Sequence, residues 1–197
     1  MEPNEQPQKV AVEAILASYG RFCVTFELAV FRLRTLLEAV LRIEGLKNQG
    51  VVQVLFANQT AEPLRALLYP LIAQIRTLTK EESKAINNIL TRFQDLIEQR
   101  NVVVHSTWFL MALDQEDVDY EKLNGFKYYR KKGVESLKVL ATDKNALDGY
   151  TEEANILADC FMALHAAIGF GDPINKALKP NSAGVYLPNF KQYWPET

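Results

Sequence analysis

At 197 residues the chain is long enough for one domain with a sizeable core, and 48% hydrophobic against 23% charged residues is ordinary for a soluble globular protein. A formal net charge of −2 excludes a global basic field, so any nucleic acid must be met by a local patch. Cys23 and Cys160 both sit in apolar helical runs, which points to buried free thiols in a reducing compartment rather than a disulfide framework. Cys and His show no metal-ligand spacing, and no Gly-rich phosphate loop is present, so no metal, nucleotide cofactor or other cofactor is expected. The opening residues are acidic and lack a signal-peptide pattern, and every long apolar run carries charges. A cytoplasmic chain with no membrane partner is therefore expected.

The first element runs from about Gln8 to Gly45. Ile15, Tyr19, Phe22, Phe26, Leu33, Leu36, Leu37 and Val40 recur at three- and four-residue steps, with Gly20 marking a candidate break. A second helical region spans about Val51 to Leu78, restarted by Thr60 with Pro63 and kinked at Pro70. The third helix starts at Thr79, whose spacing to Glu82 forms a capping box, with Glu81 adding charge at the positive end. Its apolar face holds Ile86, Ile89, Leu90, Phe93, Leu96 and Ile97. Arg100 falls on that face, where a charge needs a partner.

Beyond Trp108 the pattern changes to two aromatic-rich strands, Trp108–Leu113 and Phe126–Arg130. An acidic turn separates them, and Asn124-Gly125 lies near the end of the loop. A last helix from about Thr151 to Phe170 opens with Glu152 and Glu153 and buries Ile156, Leu157, Cys160, Phe161, Leu164 and Ile168. From Gly171 the prolines suggest an extended arm anchored by Tyr186, Phe190, Tyr193 and Trp194. The fold class expected is all-α: a bundle of four or five helices with a small β-hairpin insertion, residues 108–132, after the motif helix. Residues 1–170 form one domain and 171–197 the arm.

The most informative residues close the third helix. Arg100, Asn101 and His105 bring together a guanidinium, an amide and an imidazole. Imidazole exchanges protons near neutral pH, guanidinium forks onto phosphate, and an amide orients a hydroxyl or a phosphate oxygen. That set can cleave RNA without a metal, because RNA carries its own nucleophile in the 2′-hydroxyl. His105 is then general base or acid, Arg100 stabilises the phosphorane, and Asn101 orients the 2′-hydroxyl or a phosphate oxygen. On a regular helix Arg100 and His105 stand about 140° apart around the axis and roughly 7.5 Å along it, a gap that arginine's length can close. A structural alternative is that His105 merely ends the helix while Arg100 pairs with Glu98 or another acid.

Arg100, Asn101 and His105, followed by Ser106 and Trp108 and preceded by a long helical chain, resemble the signature of the HEPN superfamily, the higher eukaryotes and prokaryotes nucleotide-binding proteins. The resemblance implies a helical domain, a homodimer whose motif helices meet in one cleft, and a ribonuclease leaving cyclic-phosphate ends. It also implies a toxin or defence effector with an antitoxin protein as partner. The alternative within the same family is a non-catalytic RNA- or protein-binding module.

Tyr129, Arg130, Lys131 and Lys132 belong to the one dense basic run, preceded by Lys127 and Tyr128, and are the candidate RNA contacts. The alternative for them is a hairpin edge protected from aggregation by its charges. His165 has no neighbour at metal or triad spacing and reads as a packed helix residue.

Overall fold

The structure, a computed structural model, describes residues 5–109, 120–131 and 134–190. Among them the elements run α1 (Glu5–Ile43), α2 (Gln49–Phe56), α3 (Ala61–Ile75), α4 (Lys80–Val104), β1 (Thr107–Phe109), β2 (Lys122–Lys131), β3 (Val134–Asp143), α5 (Lys144–Phe170), α6 (Ile174–Ala177), β4 (Leu178–Pro180) and β5 (Tyr186–Pro188). The protein is mainly helical, with a three-stranded antiparallel sheet ordered β1-β2-β3 and a two-stranded one. It divides into two compact units, residues 1–26 with 98–153 and residues 27–97 with 154–197.

Local chemistry accounts for most helix ends. α1 passes Gly20 unbroken, in open space, and stops where Gly45 takes a φ of 91°. There Leu46 donates to the Leu41 carbonyl at 3.0 Å and Gly45 to Arg42 at 3.1 Å, a left-handed cap that only glycine adopts without strain. Asn48 caps α2 by accepting from the Val51 amide at 3.3 Å. Thr60 is the N-cap of α3, with Pro63 in the first turn where its missing N–H costs nothing, and α3 continues through Pro70 to Ile75. The capping box of α4 is formed in both directions: the Glu82 amide donates to Thr79 Oγ1 at 3.2 Å, and the Thr79 amide to Glu82 Oε2 at 3.0 Å.

Residues 27–97 with 154–197 bury the apolar faces of their helices. Leu33, Leu36, Leu37, Leu64, Leu68, Ile72, Ile86, Ile89, Phe93, Leu157, Phe161 and Leu164 are closed to solvent, and Phe93 meets Phe161 edge-on at 5.2 Å. Residues 174–188 are not an extended arm but α6 and the β4–β5 pair. The Tyr186 carbonyl accepts from Arg92 Nη1 at 2.8 Å, and its amide donates to Asn88 Oδ1 at 3.2 Å. Tyr186 is a buried anchor as expected and Phe190 is half-buried, whereas Tyr193 and Trp194 lie outside the described residues.

Glu82 is the buried polar knot of this unit. It accepts from Arg76 Nη2 at 3.1 Å, the Ile174 amide at 2.9 Å and the Thr79 hydroxyl at 3.0 Å, besides the capping amide. Burial alone would raise its carboxyl, but the Thr79 and Ile174 amides, the Thr79 hydroxyl and Arg76 together bring it below the ordinary range.

In the other unit Ile15, Phe22, Phe26, Val103, Leu123 and Leu147 are buried, and Phe22 lies 5.5 Å from the ring of Tyr150. Lys144, Ser18 and Arg21 hold the Asp148 carboxyl down to about 2. α5 begins seven residues before the expected Thr151, because Asp143 Oδ1 caps it by accepting from Ala146 at 2.8 Å. Glu152 and Glu153 therefore stand inside the helix, and the dipole at its start does not explain them.

The expected hairpin is a three-stranded sheet. β3 was not anticipated, and it pairs along all of β2 from Lys122↔Asp143 to Lys131↔Val134. Asn124-Gly125 lies within β2 rather than in a loop. Gly125 faces Trp108 of β1, and a Cβ there would stand 2.6 Å from the Thr107 carbonyl and 2.7 Å from the indole. The C-terminal half of the first expected strand and its acidic turn fall on residues 110–119, outside the described residues.

One described helix, α1, holds within Gln8–Ile43 a stretch long and apolar enough to cross a membrane, 33% of it buried in the protein. This departs from the expectation that charges disqualify every apolar run. Ile15, Phe22, Phe26 and Leu33 of α1 are buried against the protein itself, which is what a core helix requires of its apolar face.

Candidate functional site

α4 ends at Val104, and the motif lies across that end. The His105 amide makes the last helical hydrogen bond, to the Asn101 carbonyl at 3.3 Å, before the chain turns into β1. Ser106 Oγ donates to the Val102 carbonyl, and Trp108 Nε1 to Val103 at 2.6 Å, so the turn consumes carbonyls that the helix end leaves open. The β1 strand is thereby fixed to the last turn of α4.

This geometry joins the three candidate residues. Arg100 Nη1 stands 3.3 Å from His105 Nε2 and 3.5 Å from Asn101 Oδ1. The separation of about 140° expected on a regular helix is closed because arginine is long and His105 sits past the last helical residue. A guanidinium only donates, so a hydrogen bond across this contact has Nε2 as its acceptor. Arg100 also places its guanidinium carbon 5.5 Å from the centre of the Phe26 ring, a cation–π contact that props it along the helix flank. His105 itself is exposed, while Arg100 and Asn101 are half-buried.

Two further residues complete the surroundings. Lys127 of β2 donates from Nζ to the Asn101 carbonyl at 3.0 Å, putting a second cation at the negative end of α4. The sequence placed it only at the edge of the basic run; its cross-strand position brings it to the motif. Tyr19 of α1 points its hydroxyl at the Val103 carbonyl at 3.4 Å. Its phenol is pushed up, first by burial and then by Cys23, with Arg100 opposing.

The other flank of α4 borders a cleft of about 300 Å³ lined by Gln99, Val103, Trp108, Lys138, Thr142 and Tyr150 among others. Tyr150 donates there to Gln99 Oε1 at 3.1 Å.

The candidate RNA contacts Tyr129, Arg130 and Lys131 stand on β2, opposite Ser136, Glu135 and Val134 in register; their side chains, and all of Lys132, lie outside the described residues. His165 is half-buried, and burial, with Arg32, lowers its imidazole below the usual range. Among the described residues no group of three or more His, Cys, Asp or Glu is placed to hold a metal ion, and both cysteines are free thiols.

No family model matches the chain, and no solved structure matches it. The likeness to the HEPN superfamily therefore rests on Arg100, Asn101 and His105 and on their setting.

Proposed function

We propose that the chain is a HEPN-like helical bundle acting as a metal-independent endoribonuclease. The observation that carries this reading is the Arg100–His105 contact of 3.3 Å at an exposed helix end, with Asn101 on the same guanidinium. In the free protein Arg100 occupies the Nε2 lone pair. A phosphate is a better partner for a guanidinium than neutral imidazole, because it is charged and accepts two parallel hydrogen bonds. RNA binding draws Arg100 onto the phosphate and releases Nε2 to accept the proton of the 2′-hydroxyl.

The 2′-oxygen then attacks phosphorus, the bond to the 5′-oxygen breaks, and Arg100 neutralises the added negative charge of the phosphorane. Asn101 orients the 2′-hydroxyl or a phosphate oxygen. A homodimer with facing motif helices supplies two such sites to one strand. The His105 that is neutral takes the 2′-proton, and the other, protonated, gives one to the leaving 5′-oxygen. A toxin or defence role, with an antitoxin partner, belongs to the same reading.

The test is incubation of purified protein with 5′-labelled RNA in EDTA. Wild type is expected to cut, leaving 2′,3′-cyclic phosphate and 5′-hydroxyl ends, and His105→Ala is expected not to. Cleavage by His105→Ala overturns the proposal. Binding without cleavage by folded wild type selects the non-catalytic module instead.

A further inference from the structure

The face of the β1-β2-β3 sheet that meets the last turns of α4 carries cations that no acid on it balances. Lys127 and Lys138 are register partners on β2 and β3, so their side chains leave the same face with Cβ atoms about 5 Å apart. Trp108, Leu123, Gly125, Leu140 and Thr142 alternate onto that side, so its described side chains include two cations and no acid. Like charges directly opposite one another weaken a strand pair. Lys127 relieves part of this by donating to the Asn101 carbonyl at 3.0 Å, whereas Lys138 is exposed and has no ion pair among the described residues.

Lys138 also lines the cleft of about 300 Å³ beside α4, a volume at the small end of ligand pockets. Trp108 lines it too and is held at two points. Its Nε1 donates to the Val103 carbonyl at 2.6 Å, and its ring lies against Gly125, where a Cβ would stand 2.7 Å from it. Tyr150 donates to Gln99 Oε1 at 3.1 Å, which leaves the Gln99 amide nitrogen to donate in turn. Glu98 is the one acid among the described lining residues, outnumbered by Lys127 and Lys138. Gln99 and Arg100 are consecutive in α4, so the cleft begins one residue from the motif.

We propose that this cleft is the subsite for one nucleotide of single-stranded RNA next to the scissile phosphate. Trp108 offers its ring to the base, Gln99 and Thr142 meet the base edge, and Lys138 with Lys127 holds the adjoining phosphate. An aromatic wall, an amide, a hydroxyl and a pair of ammonium groups are what a base joined to a phosphate requires. A phosphate between the two ammonium groups replaces their repulsion with attraction. The base enters only when unstacked, so the subsite selects single strands over duplex. The inference rests on the RNA reading of the motif for its ligand, but not on turnover.

The experiment measures the anisotropy of a fluorescein-labelled 2′-O-methyl oligoribonucleotide, which cannot be cut through the 2′-position, as protein is added in EDTA at several salt concentrations. Lys138→Gln, at an exposed position, is expected to fold as wild type and to bind several-fold more weakly. It should also reduce the slope of log K against log salt by about 0.7, the share of one phosphate contact on a single strand. Lys179→Gln, the same change on β4, is expected to leave affinity and slope unchanged. In Trp194→Phe, where Trp108 is the one tryptophan left, unlabelled oligonucleotide is expected to quench the emission. A duplex of the same sequence is expected to bind more weakly and to leave that emission unchanged.

Unchanged affinity and slope in Lys138→Gln, an equal loss in Lys179→Gln, or Trp108 emission that saturating RNA does not quench overturns the subsite. A duplex that binds and quenches like the single strand overturns it as well. No binding by folded wild type overturns it together with the RNA reading. Binding with both signatures, but without cleavage by any form of the protein, keeps the subsite while the nuclease reading falls. Equal cleavage by wild type and Lys138→Gln with Trp108 unquenched keeps the nuclease and removes the subsite.

Discussion

Under the proposed reaction, Arg100→Ala separates catalysis from folding, and the contacts to His105, Asn101 and Phe26 set a scale for the second. The guanidinium meets His105 Nε2 at 3.3 Å and Asn101 Oδ1 at 3.5 Å, the second at the outer limit of a hydrogen bond. Its cation–π contact with Phe26, at 5.5 Å, is worth about 0.5–1 kcal/mol at a partly exposed position. A long hydrogen bond there adds about 0.5–1 kcal/mol. These two contacts contribute about 1–2 kcal/mol, and their loss alone lowers Tm by roughly 2–8 °C in a chain of this size. Under the proposed reaction, removing the group that neutralises the phosphorane is expected to cost about a hundredfold to a thousandfold in rate. The assay pairs a calorimetric or circular-dichroism melt with cleavage of labelled RNA in EDTA. A Tm loss well beyond 10 °C, or cleavage within a few-fold of wild type, would refute the reasoning. The first outcome makes Arg100 a structural ion and the second removes it from the chemistry.

Two other perturbations test the framework. Glu82→Ala leaves Arg76 without its carboxylate and the Ile174 and Thr79 amides without an acceptor; a cost of about 3–5 kcal/mol is expected, seen as a Tm lower by roughly 6–20 °C. Because the folded carboxyl lies below its ordinary value, its contribution is present above the usual glutamate range and lost as pH falls through the folded value. The gap between wild type and Glu82→Ala should therefore be full at neutral pH and close in acid below about pH 4; a gap independent of pH contradicts the assignment. Gly125→Ala places a methyl 2.6 Å from the Thr107 carbonyl and 2.7 Å from the Trp108 ring. Either β1 or the indole must move, at about 1–3 kcal/mol, with a shift in tryptophan emission; a mutant with unchanged melt and spectrum would show that the strand accommodates a side chain freely.

The helical part of the fold was legible because its signals are local. Thr79 with Glu82, Thr60 with Pro63, and Gly45 each act within one turn, and the three- and four-residue spacing of Phe22, Phe26, Leu33 and Leu37 marks a buried face. The start of α5 was missed because Leu147 is its one buried residue before Ala154, so the periodicity begins late, although Asp143 three residues before Ala146 is a cap that could have been read. β3 was missed for a different reason. Its partner residues are 3 to 21 positions away, yet Ser136, Lys138 and Thr142 dilute the apolar alternation, and only pairing with β2 makes the segment a strand.

The candidate site shows the same division. Arg100, Asn101 and His105 are neighbours in sequence, and a helix end is enough to bring their side chains within 3.5 Å. Lys127 and Phe26 reach the same place from 26 and 74 residues away, and no local pattern announces them. A strand sends successive side chains to opposite faces, which a count of charge along the sequence does not show. What the strand gathers instead is every second residue. Phe126 and Tyr128, unremarkable beside the lysines that separate them in sequence, become neighbours on one surface with Phe109. The stretch richest in charge thus presents a face whose chemistry is set by its aromatic rings.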